Sequence, residues 1–331
     1  MLAGVLVLAG GGFLAHHLSS GRTLGSGAAQ ATVTRTPASV VTATITVGSG
    51  PVGVAVDAAS HTAYVANFND GTVSVIDTRT NTVTATITVG AYPRGVAVDA
   101  ASHTAYVTNV DDGTVSVIDT RTNTVTATIT VGSAPIRVAV DEASHTAYVT
   151  NVGDGTVSVI DTRTNTVTAT ITVGKSPECV AVDEAAHTAY VTNGDDGTVS
   201  VIDTRSNTVT AIITVGKSPV LVAVDEASHT AYVTNSDDGT VSVIDTRSNT
   251  VTATITVGSG PLGVAVDAAA HTAYVTNNGD DTVSLIDTRT NTVTATITVG
   301  SGPLGVAVDP TTGTVYVTNN GHGTVSVLTA R

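Results

Sequence analysis

Residues Val96–Gly132 read VAVDAASHTAYVTNVDDGTVSVIDTRTNTVTATITVG and open a 42-residue unit that extends to Arg137. The unit recurs almost unchanged along the chain, and its first tetrapeptide, VAVD, marks each copy. The aspartates that end this tetrapeptide are Asp57, Asp99, Asp141, Asp183, Asp225, Asp267 and Asp309. Seven copies at a constant step, with no linker between them, indicate one repeat domain rather than several globular ones.

Each unit contains four short segments rich in valine, isoleucine, threonine and tyrosine, with turn residues between them. In the second unit they are Gly95–Asp99, Thr104–Asn109, Thr114–Asp119 and Thr124–Val131. The last segment alternates strictly between apolar residues and threonine, which is typical of an outer strand with one solvated face. Four antiparallel strands per repeat of roughly 40 to 45 residues are typical of a propeller blade. We therefore predict an all-β fold, a seven-bladed β-propeller with four antiparallel strands per blade.

The two ends of the repeated region each hold part of a unit. Val40–Gly48 has the sequence of a fourth strand with no first three before it, whereas the chain stops after a third strand at Val327 and Leu328. Pairing these segments would complete the seventh blade and remove the exposed edges of an open array. We expect the propeller to span residues 39–331, with its last blade closed by the N-terminal strand.

The second strand of the unit resembles the YVTN-type β-propeller repeat. The tetrapeptide YVTN occurs in six units, and the first unit departs from it with YVAN at Tyr64–Asn67. The six copies lie at 106–109, 148–151, 190–193, 232–235, 274–277 and 316–319. The resemblance covers nearly the whole repeated region. It implies seven blades and an extracytoplasmic or cell-surface location, and similar propellers include binding modules, lactonases and lyases.

Composition excludes some classes of function. The net charge is -14, and the chain has only two lysines. Because nucleic-acid affinity is mainly phosphate neutralisation by Lys and Arg, nucleic acid is excluded as an expected partner. Cys179 is the only cysteine and can form no intramolecular disulfide.

The N-terminal segment has features of export. Leu2–Ala15 is apolar, and Ala29-Gln30-Ala31 matches the A-x-A pattern of a cleavage site. We interpret residues 1–31 as a signal peptide or the remnant of a membrane anchor, and residues 32–38 as a flexible leader. No Lys or Arg precedes the apolar run, so a cytoplasmic location stays open as the alternative. The expected location is extracytoplasmic, secreted or on the cell surface.

Polar residues that recur in every unit are best explained by the scaffold. The Asp-Asp-Gly hairpins, as at Asp111–Gly113, consist of residues that tight turns require, with calcium binding as the alternative. The turns that begin at Asp119 are explained in the same way. Equivalent positions on neighbouring blades lie on the order of 10 Å apart, too far for histidines to share one zinc. A repeated turn contact is the main hypothesis for these histidines, and pH sensing is the alternative. They are His61, His103, His145, His187, His229 and His271.

Cys179 is not expected to be a nucleophile. The only histidine predicted on its face, His322, belongs to the seventh blade, nearly opposite the fourth. We predict a small buried or channel-lining residue instead. The repeat contains no hydrolase, metalloprotease, P-loop or dinucleotide fingerprint, and we expect no cofactor and no metal.

Differences between the seven copies mark a candidate site, because every copy meets the same scaffold demand. They concentrate in the loop before each first strand and in the hairpin between strands two and three, which a propeller places on one face. On that face we predict a site for a polar or anionic ligand, oriented by the arginines. The alternative is that these cations only balance nearby aspartates such as Asp112, Asp154, Asp196 and Asp238. The predicted ligand-binding residues are Tyr92, Arg94, Arg137, Lys175, Glu178 and Lys217.

Three functions remain open from the sequence. The leading prediction is an exported binding or interaction scaffold, not an enzyme, whose partner is a small molecule, a glycan or a protein. The second is a propeller hydrolase or lyase, lactonase-like, that acts at the channel mouth through a metal or Glu178. The third is a repetitive cell-surface structural protein that self-associates through its threonine-rich outer strands. We expect a monomer, in contact with a membrane only through an N-terminal anchor.

Overall fold

The structure is a computed structural model that describes residues 40–329, and its strands form seven four-stranded antiparallel sheets. The strands of blades one to three are β2 Pro51–Asp57, β3 Thr62–Asn67, β4 Thr72–Asp77, β5 Thr82–Thr88; β6 Pro93–Asp99, β7 Thr104–Asn109, β8 Thr114–Asp119, β9 Thr124–Thr130; β10 Pro135–Asp141, β11 Thr146–Asn151, β12 Thr156–Asp161 and β13 Thr166–Thr172. Those of blades four and five are β14 Pro177–Asp183, β15 Thr188–Asn193, β16 Thr198–Asp203, β17 Thr208–Thr214; β18 Pro219–Asp225, β19 Thr230–Asn235, β20 Thr240–Asp245 and β21 Thr250–Thr256. Those of blades six and seven are β22 Pro261–Asp267, β23 Thr272–Asn277, β24 Thr282–Asp287, β25 Thr292–Thr298; β26 Pro303–Asp309, β27 Thr314–Asn319, β28 Thr324–Thr329 and β1 Val40–Thr46.

The seventh blade is built from both ends of the described chain, which confirms the predicted closure. β1 pairs antiparallel with β28, in a register that joins Val40 to Thr329 and Thr46 to Thr324. The first strands of consecutive blades lie against one another, and β26 of blade seven lies against β2 of blade one. The ring is therefore closed, and the seven-bladed fold predicted from the repeat is confirmed.

The apolar core lies between neighbouring blades. Each of seven clusters joins residues from two adjacent sheets, such as Tyr106 and Ile129 of blade two with Val138, Val149 and Ile160 of blade three. Valine and isoleucine suit this packing because their branched side chains fill a pleated, half-buried surface. The core has no single centre, and each blade is stabilised mainly by its two neighbours.

The Tyr-Val-Thr-Asn segment of the second strand contributes polar contacts that the valine core lacks. The Tyr190 hydroxyl donates to the Thr246 carbonyl of the next blade at 3.4 Å, and burial raises the pKa of this phenol to about 12. Asn193 Oδ1 accepts from Gly174 N–H at 3.1 Å, and its Nδ2 donates to two hydroxyls on the neighbouring strand. These residues recur because they hold strands and loops in register.

The turns confirm the structural explanation of the repeated histidines and aspartates. His103 adopts φ 55, in the left-handed region, and its carbonyl accepts from Thr120 N–H at 2.9 Å. Asp119 Oδ1 accepts from the N–H groups of Arg121 and Thr122 at 2.8 and 3.1 Å. Blades one to six therefore use these residues to close two turns on one face, whereas blade seven has Gly313 in place of the histidine.

Two faces of the ring are distinguished below. The upper face carries the loops before the first strands and the hairpins between second and third strands, and the lower face carries the other turns. The predicted export segment, residues 1–31, and the leader, residues 32–38, lie outside the described residues. Within residues 40–329, no helix has the length and apolar character needed to cross a bilayer.

Candidate functional site

The first strand of each blade begins two residues earlier than the sequence predicted. β6 starts at Pro93, which pairs with Asn109 before a bulge restores regular pairing at Val96. Proline is tolerated there because it is the first residue of the strand and precedes a bulge. The prediction that Arg94 lies in a loop was therefore wrong, and its side chain is fixed by the innermost strand of its blade.

Three of the predicted site residues come together from three consecutive blades. Arg94 Nη2 of blade two lies 3.6 Å from Glu178 Oε2 of blade four, so this ion pair reaches across blade three. Arg137 of blade three donates from Nη1 to the Arg94 carbonyl oxygen at 3.2 Å. We call Arg94, Arg137 and Glu178 the channel-mouth cluster, because all three lie near the upper ends of the inner strands β6, β10 and β14.

The electrostatics of the cluster are unbalanced. It holds two guanidinium groups and one carboxylate, and Glu178 is paired with Arg94 rather than with Arg137. Burial, and next the positive charge of Arg94, lower the pKa of Arg137 to about 10. Arg137 is still protonated at neutral pH, and Glu178 partly opposes the lowering of its pKa. Among residues 40–329 no carboxylate lies within ion-pair distance of its guanidinium.

The third residue of each inner strand is glycine in four blades and a larger residue in the other three. A Cβ atom on Gly53 of blade one would lie 2.4 Å from the Arg94 carbonyl oxygen, and one on Gly95 would lie 2.7 Å from that of Ile136. Blades six and seven carry glycine at the same position, under the same close approach. Blades three, four and five instead carry Arg137, Cys179 and Leu221. The departure from glycine overlaps the arc that holds the cluster at blades three and four, and Arg137 belongs to both.

The other three predicted residues lie on the upper face without joining the cluster through a hydrogen bond or ion pair in the described part of the chain. Lys175 and Lys217 are exposed, and their backbone N–H groups donate to Asp196 and Asp238 at 2.8 Å. Tyr92 packs against Phe68 of blade one, with ring centroids 4.9 Å apart. The channel-mouth cluster is thus smaller than the predicted arc.

The loop aspartates accept hydrogen bonds from backbone N–H groups and form no ion pairs with the two arginines. Asp112 accepts from Ala91 N–H at 2.7 Å, and Asp154 accepts from Ser133 N–H at 2.6 Å. No ion pair joins Arg94 or Arg137 to any of these aspartates within residues 40–329. The alternative that the arginines only balance nearby aspartates therefore has no support from the contacts of the two arginines.

Cys179 lies beside the cluster but is not an activated thiol. Its side chain is 2% exposed and packs with Val222 and Leu221. Burial raises the pKa of the thiol, although the nearby Arg137 charge opposes this effect. His322 is held by Ser301 N–H, which donates to its Nδ1 at 3.1 Å. The prediction of a buried structural cysteine is confirmed.

A group of acidic residues on the lower face was missed by the sequence prediction. Glu142 Oε1 accepts from Ala100 N–H at 3.1 Å, Glu184 Oε1 from Glu142 N–H at 3.1 Å, and Glu226 Oε1 from Glu184 N–H at 3.0 Å. Each bond crosses from one blade to the preceding one. The signal was present, because the residue after VAVD is Glu only in blades three to five and Ala or Pro elsewhere.

The described residues offer no ready metal centre. Within residues 40–329, no group of three or more His, Cys, Asp or Glu side chains has an arrangement that could hold a metal ion. The carboxylates of the upper hairpins accept backbone N–H groups, and the lower glutamates bridge blades. The channel-mouth cluster itself offers two guanidinium groups, which can recognise negative charge, and one carboxylate, Glu178.

Comparison with known proteins agrees with this architecture. A solved structure of hydrazine synthase from Kuenenia stuttgartiensis superposes with a TM-score of 0.77 at 21% identity, covering 91% of this chain and 98% of that chain. At this identity the likeness shows the fold alone. No curated protein matches the sequence. Residues 160–331, slightly more than half of the chain, match the family described as Lactonase, 7-bladed beta-propeller. The chain belongs to this lactonase family of seven-bladed β-propellers.

Proposed function

We propose that the channel-mouth cluster binds the carboxylate group of a small molecule and that the protein acts as a binding module. The observation that carries the proposal is Arg137, a half-buried guanidinium beside a second cation, with no carboxylate at ion-pair distance within residues 40–329. Guanidinium groups bind carboxylates through two parallel hydrogen bonds. A carboxylate ligand would balance the charge that Glu178 leaves uncompensated.

The surroundings favour a small ligand over a polyanion. The hairpins that flank the cluster carry Asp111, Asp112, Asp195 and Asp196, all on the upper face. A long anionic chain would meet this negative charge on approach, whereas a single carboxylate reaches the arginines directly. Glycine blades on the opposite side of the ring offer no comparable charge. The proposed ligand is therefore a small carboxylate.

Calorimetric titration with acetate, succinate and citrate tests the proposal. We expect saturable binding of at least one probe to the unaltered protein and its loss in Arg94→Ala/Arg137→Ala. The matched control is Arg121→Ala/Arg205→Ala, which removes the same charge from turns on the lower face. Equal affinity in the unaltered protein and the cluster variant would refute the proposal.

Family membership favours a second candidate, the hydrolysis of a lactone. Glu178 lies within the matched residues and could take a proton from water as the water oxygen adds to the lactone carbonyl. The acyl–oxygen bond of the ring then breaks, and the alkoxide takes the proton back from Glu178 to give a hydroxy acid, which ionises to a carboxylate at neutral pH. Arg94 and Arg137 would stabilise the negative oxygen before the ring opens. Its product would carry the carboxylate that the first candidate binds.

A lactone panel separates the two candidates. Turnover that is lost in Glu178→Gln would support hydrolysis, and Glu184→Gln is the matched control because it alters a glutamate on the lower face. Binding of carboxylates without turnover of any lactone would support the binding module. Turnover that survives Glu178→Gln would remove Glu178 from the reaction.

We also propose that the repeat is of the YVTN type and that the protein is exported. The first rests on the tetrapeptide in six blades, and the second on the apolar stretch Leu2–Ala15 with its A-x-A pattern. Fractionation of the source cells, with N-terminal sequencing of the mature protein, tests export. Recovery of the protein with an intact N-terminus in the cytoplasm would overturn it.

A further inference from the structure

Two aromatic residues outside the repeat pattern lie side by side on the upper face. The rings of Phe68 and Tyr92 have centroids 4.9 Å apart and are tilted by 40°. Phe68 belongs to the upper hairpin of blade one, and Tyr92 precedes the first strand of blade two. Every other Phe, Tyr or Trp within residues 40–329 is the scaffold tyrosine of a second strand. The pair is thus a local addition to an aromatic-poor protein.

The scaffold does not require either ring. The counterparts of Tyr92 in the other blades are small, and those of Phe68 are small, polar or valine. The counterparts of Tyr92 are Gly50, Ala134, Ser176, Ser218, Gly260 and Gly302, and those of Phe68 are Val110, Val152, Gly194, Ser236, Asn278 and Asn320. Because these residues support the same loops, neither aromatic ring is needed to form them.

Tyr92 is held in an unfavourable and exposed position. Its φ of 53 lies in the left-handed region, which bulky residues rarely adopt, and its side chain is 42% exposed. The loop adopts this conformation in the other blades too, where Ala134, Ser176 and Ser218 have φ of 51, 52 and 49. Blades one, six and seven have glycine at this φ and blades three to five have small residues, so the loop conformation does not call for a bulky, exposed ring.

The pair adjoins the charged site and is flanked by hydrogen-bonding groups. Arg94 follows Tyr92 by two residues in the same blade, and Asn69 and Asp70 directly follow Phe68. Asp112 reaches the same loop, since its Oδ2 accepts from Ala91 N–H. A carboxylate can accept several hydrogen bonds at once, so Asp70 and Asp112 can each receive a ligand hydroxyl as well as the backbone N–H.

We propose that Phe68 and Tyr92 form a stacking platform and that the ligand of the channel-mouth cluster is an acidic sugar, a pyranose ring bearing a carboxylate. This inference rests on the proposed carboxylate site. The ring would pack one C–H face on the aromatic pair while its carboxylate reaches Arg94 and Arg137. Its hydroxyls would donate to Asp70 and Asp112, which repel a ligand with more negative charge.

The absence of tryptophan from the chain gives a direct test. In Tyr92→Trp the new indole is the single fluorophore of its kind, and it keeps an aromatic face at the platform. We expect glucuronate to change the emission of this indole. Glucuronate should also bind about tenfold more tightly than acetate, which has only the carboxylate, or glucose, which has only the pyranose ring. Tyr92→Ala in the parent chain should lower glucuronate affinity severalfold and leave acetate affinity unchanged.

The outcomes separate this inference from the function on which it rests. If acetate and glucuronate bind equally and both depend on Arg94 and Arg137, the carboxylate site stands and the platform is wrong. Benzoate that binds as tightly as glucuronate would show that the hydroxyls contribute nothing and would overturn the sugar. If Arg94→Ala/Arg137→Ala leaves glucuronate binding unchanged, the proposed function itself fails. An unaltered melting temperature in each variant shows that the propeller is intact.

Discussion

Arg137 Nη1 donates a hydrogen bond to the backbone carbonyl oxygen of Arg94 at 3.2 Å. At four other blade interfaces the equivalent carbonyl accepts from a threonine hydroxyl of the preceding blade, as Val52 does from Thr318 at 2.7 Å. The residue that would serve Arg94 in this way is Ala66, the single departure from threonine in the second strands. Because Ala66 has no hydroxyl, the Arg94 carbonyl oxygen is free to accept the hydrogen bond from the Arg137 guanidinium.

Ala66→Thr is therefore expected to weaken ligand binding without harming the fold. Six blades already accommodate threonine at this position, so the cost in stability should stay below about 1 kcal/mol. The new hydroxyl would donate to the Arg94 carbonyl and compete with Arg137. Carboxylate affinity should fall severalfold in calorimetric titration, while the melting temperature stays within a few degrees of the parent. Unchanged affinity would show that this carbonyl does not position Arg137.

The buried asparagine of the second strand should be a strong determinant of stability. Asn193→Ala removes the acceptor of Gly174 N–H and the donor to Thr198 and Ser200 in a fully buried site. We expect a loss of about 2–4 kcal/mol in the free energy of unfolding, measured by denaturant titration. The control is Asn69→Ala on an exposed hairpin, which should change it by no more than about 0.5 kcal/mol. Similar losses in both variants would contradict this assignment.

The closing strand β1 should contribute to stability as much as β5, the fourth strand of a blade that is continuous in sequence. Ile45 in β1 and Ile87 in β5 occupy equivalent positions, and each is 5% exposed. Replacing either with alanine should cost about 2–4 kcal/mol, because each packs between two blades. Thermal unfolding of the two variants checks this. A neutral Ile45→Ala beside a destabilising Ile87→Ala would mean that the ring is open in solution.

The sequence predicted the features that depend on residues with the same structural role at equivalent positions of the repeat. Seven VAVD strands and a lone fourth strand at Val40–Gly48 determine the ring and its closure, because backbone pairing depends only on pattern and order. The turn roles of His103 and Asp119 were predictable for the same reason. A residue that recurs in the copies is best explained by the fold that the copies share.

The composition of the site was only partly predictable. Variation among copies indicated Arg94, Arg137 and Glu178, but their spacing could not show that the first and last meet across blade three. That contact depends on how far the two side chains extend past blade three, which sequence separation does not encode. The same variation included Lys175 and Lys217, whose side chains are exposed. A difference between copies therefore identified a face and a set of residues, and only the three-dimensional structure identified the cluster.

The glutamates of the lower face form a separate acidic group with a distinct response to pH. Glu226 accepts from Glu184 N–H and lies near the carboxylates of Asp183, Glu184 and Asp141. Burial, and to a smaller extent these three charges, raise its pKa to about 7. The pKa of Glu184 is raised as well, again mainly by burial. Both groups bind protons more tightly in the folded chain than in the unfolded one.

Stability should consequently fall as the pH rises from about 4.5, where an unfolded glutamate titrates, to about 7, where folded Glu226 does. In this window the folded state binds more protons than the unfolded state, so raising the pH favours unfolding. Glu226→Gln keeps an oxygen that can accept from Glu184 N–H but cannot ionise. It should flatten the melting temperature between pH 5 and 8 and raise it at pH 8, while Glu184 maintains a residual slope. The control is Asp111→Asn, which removes an exposed carboxylate on the upper face and should preserve the slope of the parent. A Glu226→Gln profile that parallels the parent throughout would show that this carboxyl is not the group whose protonation stabilises the ring.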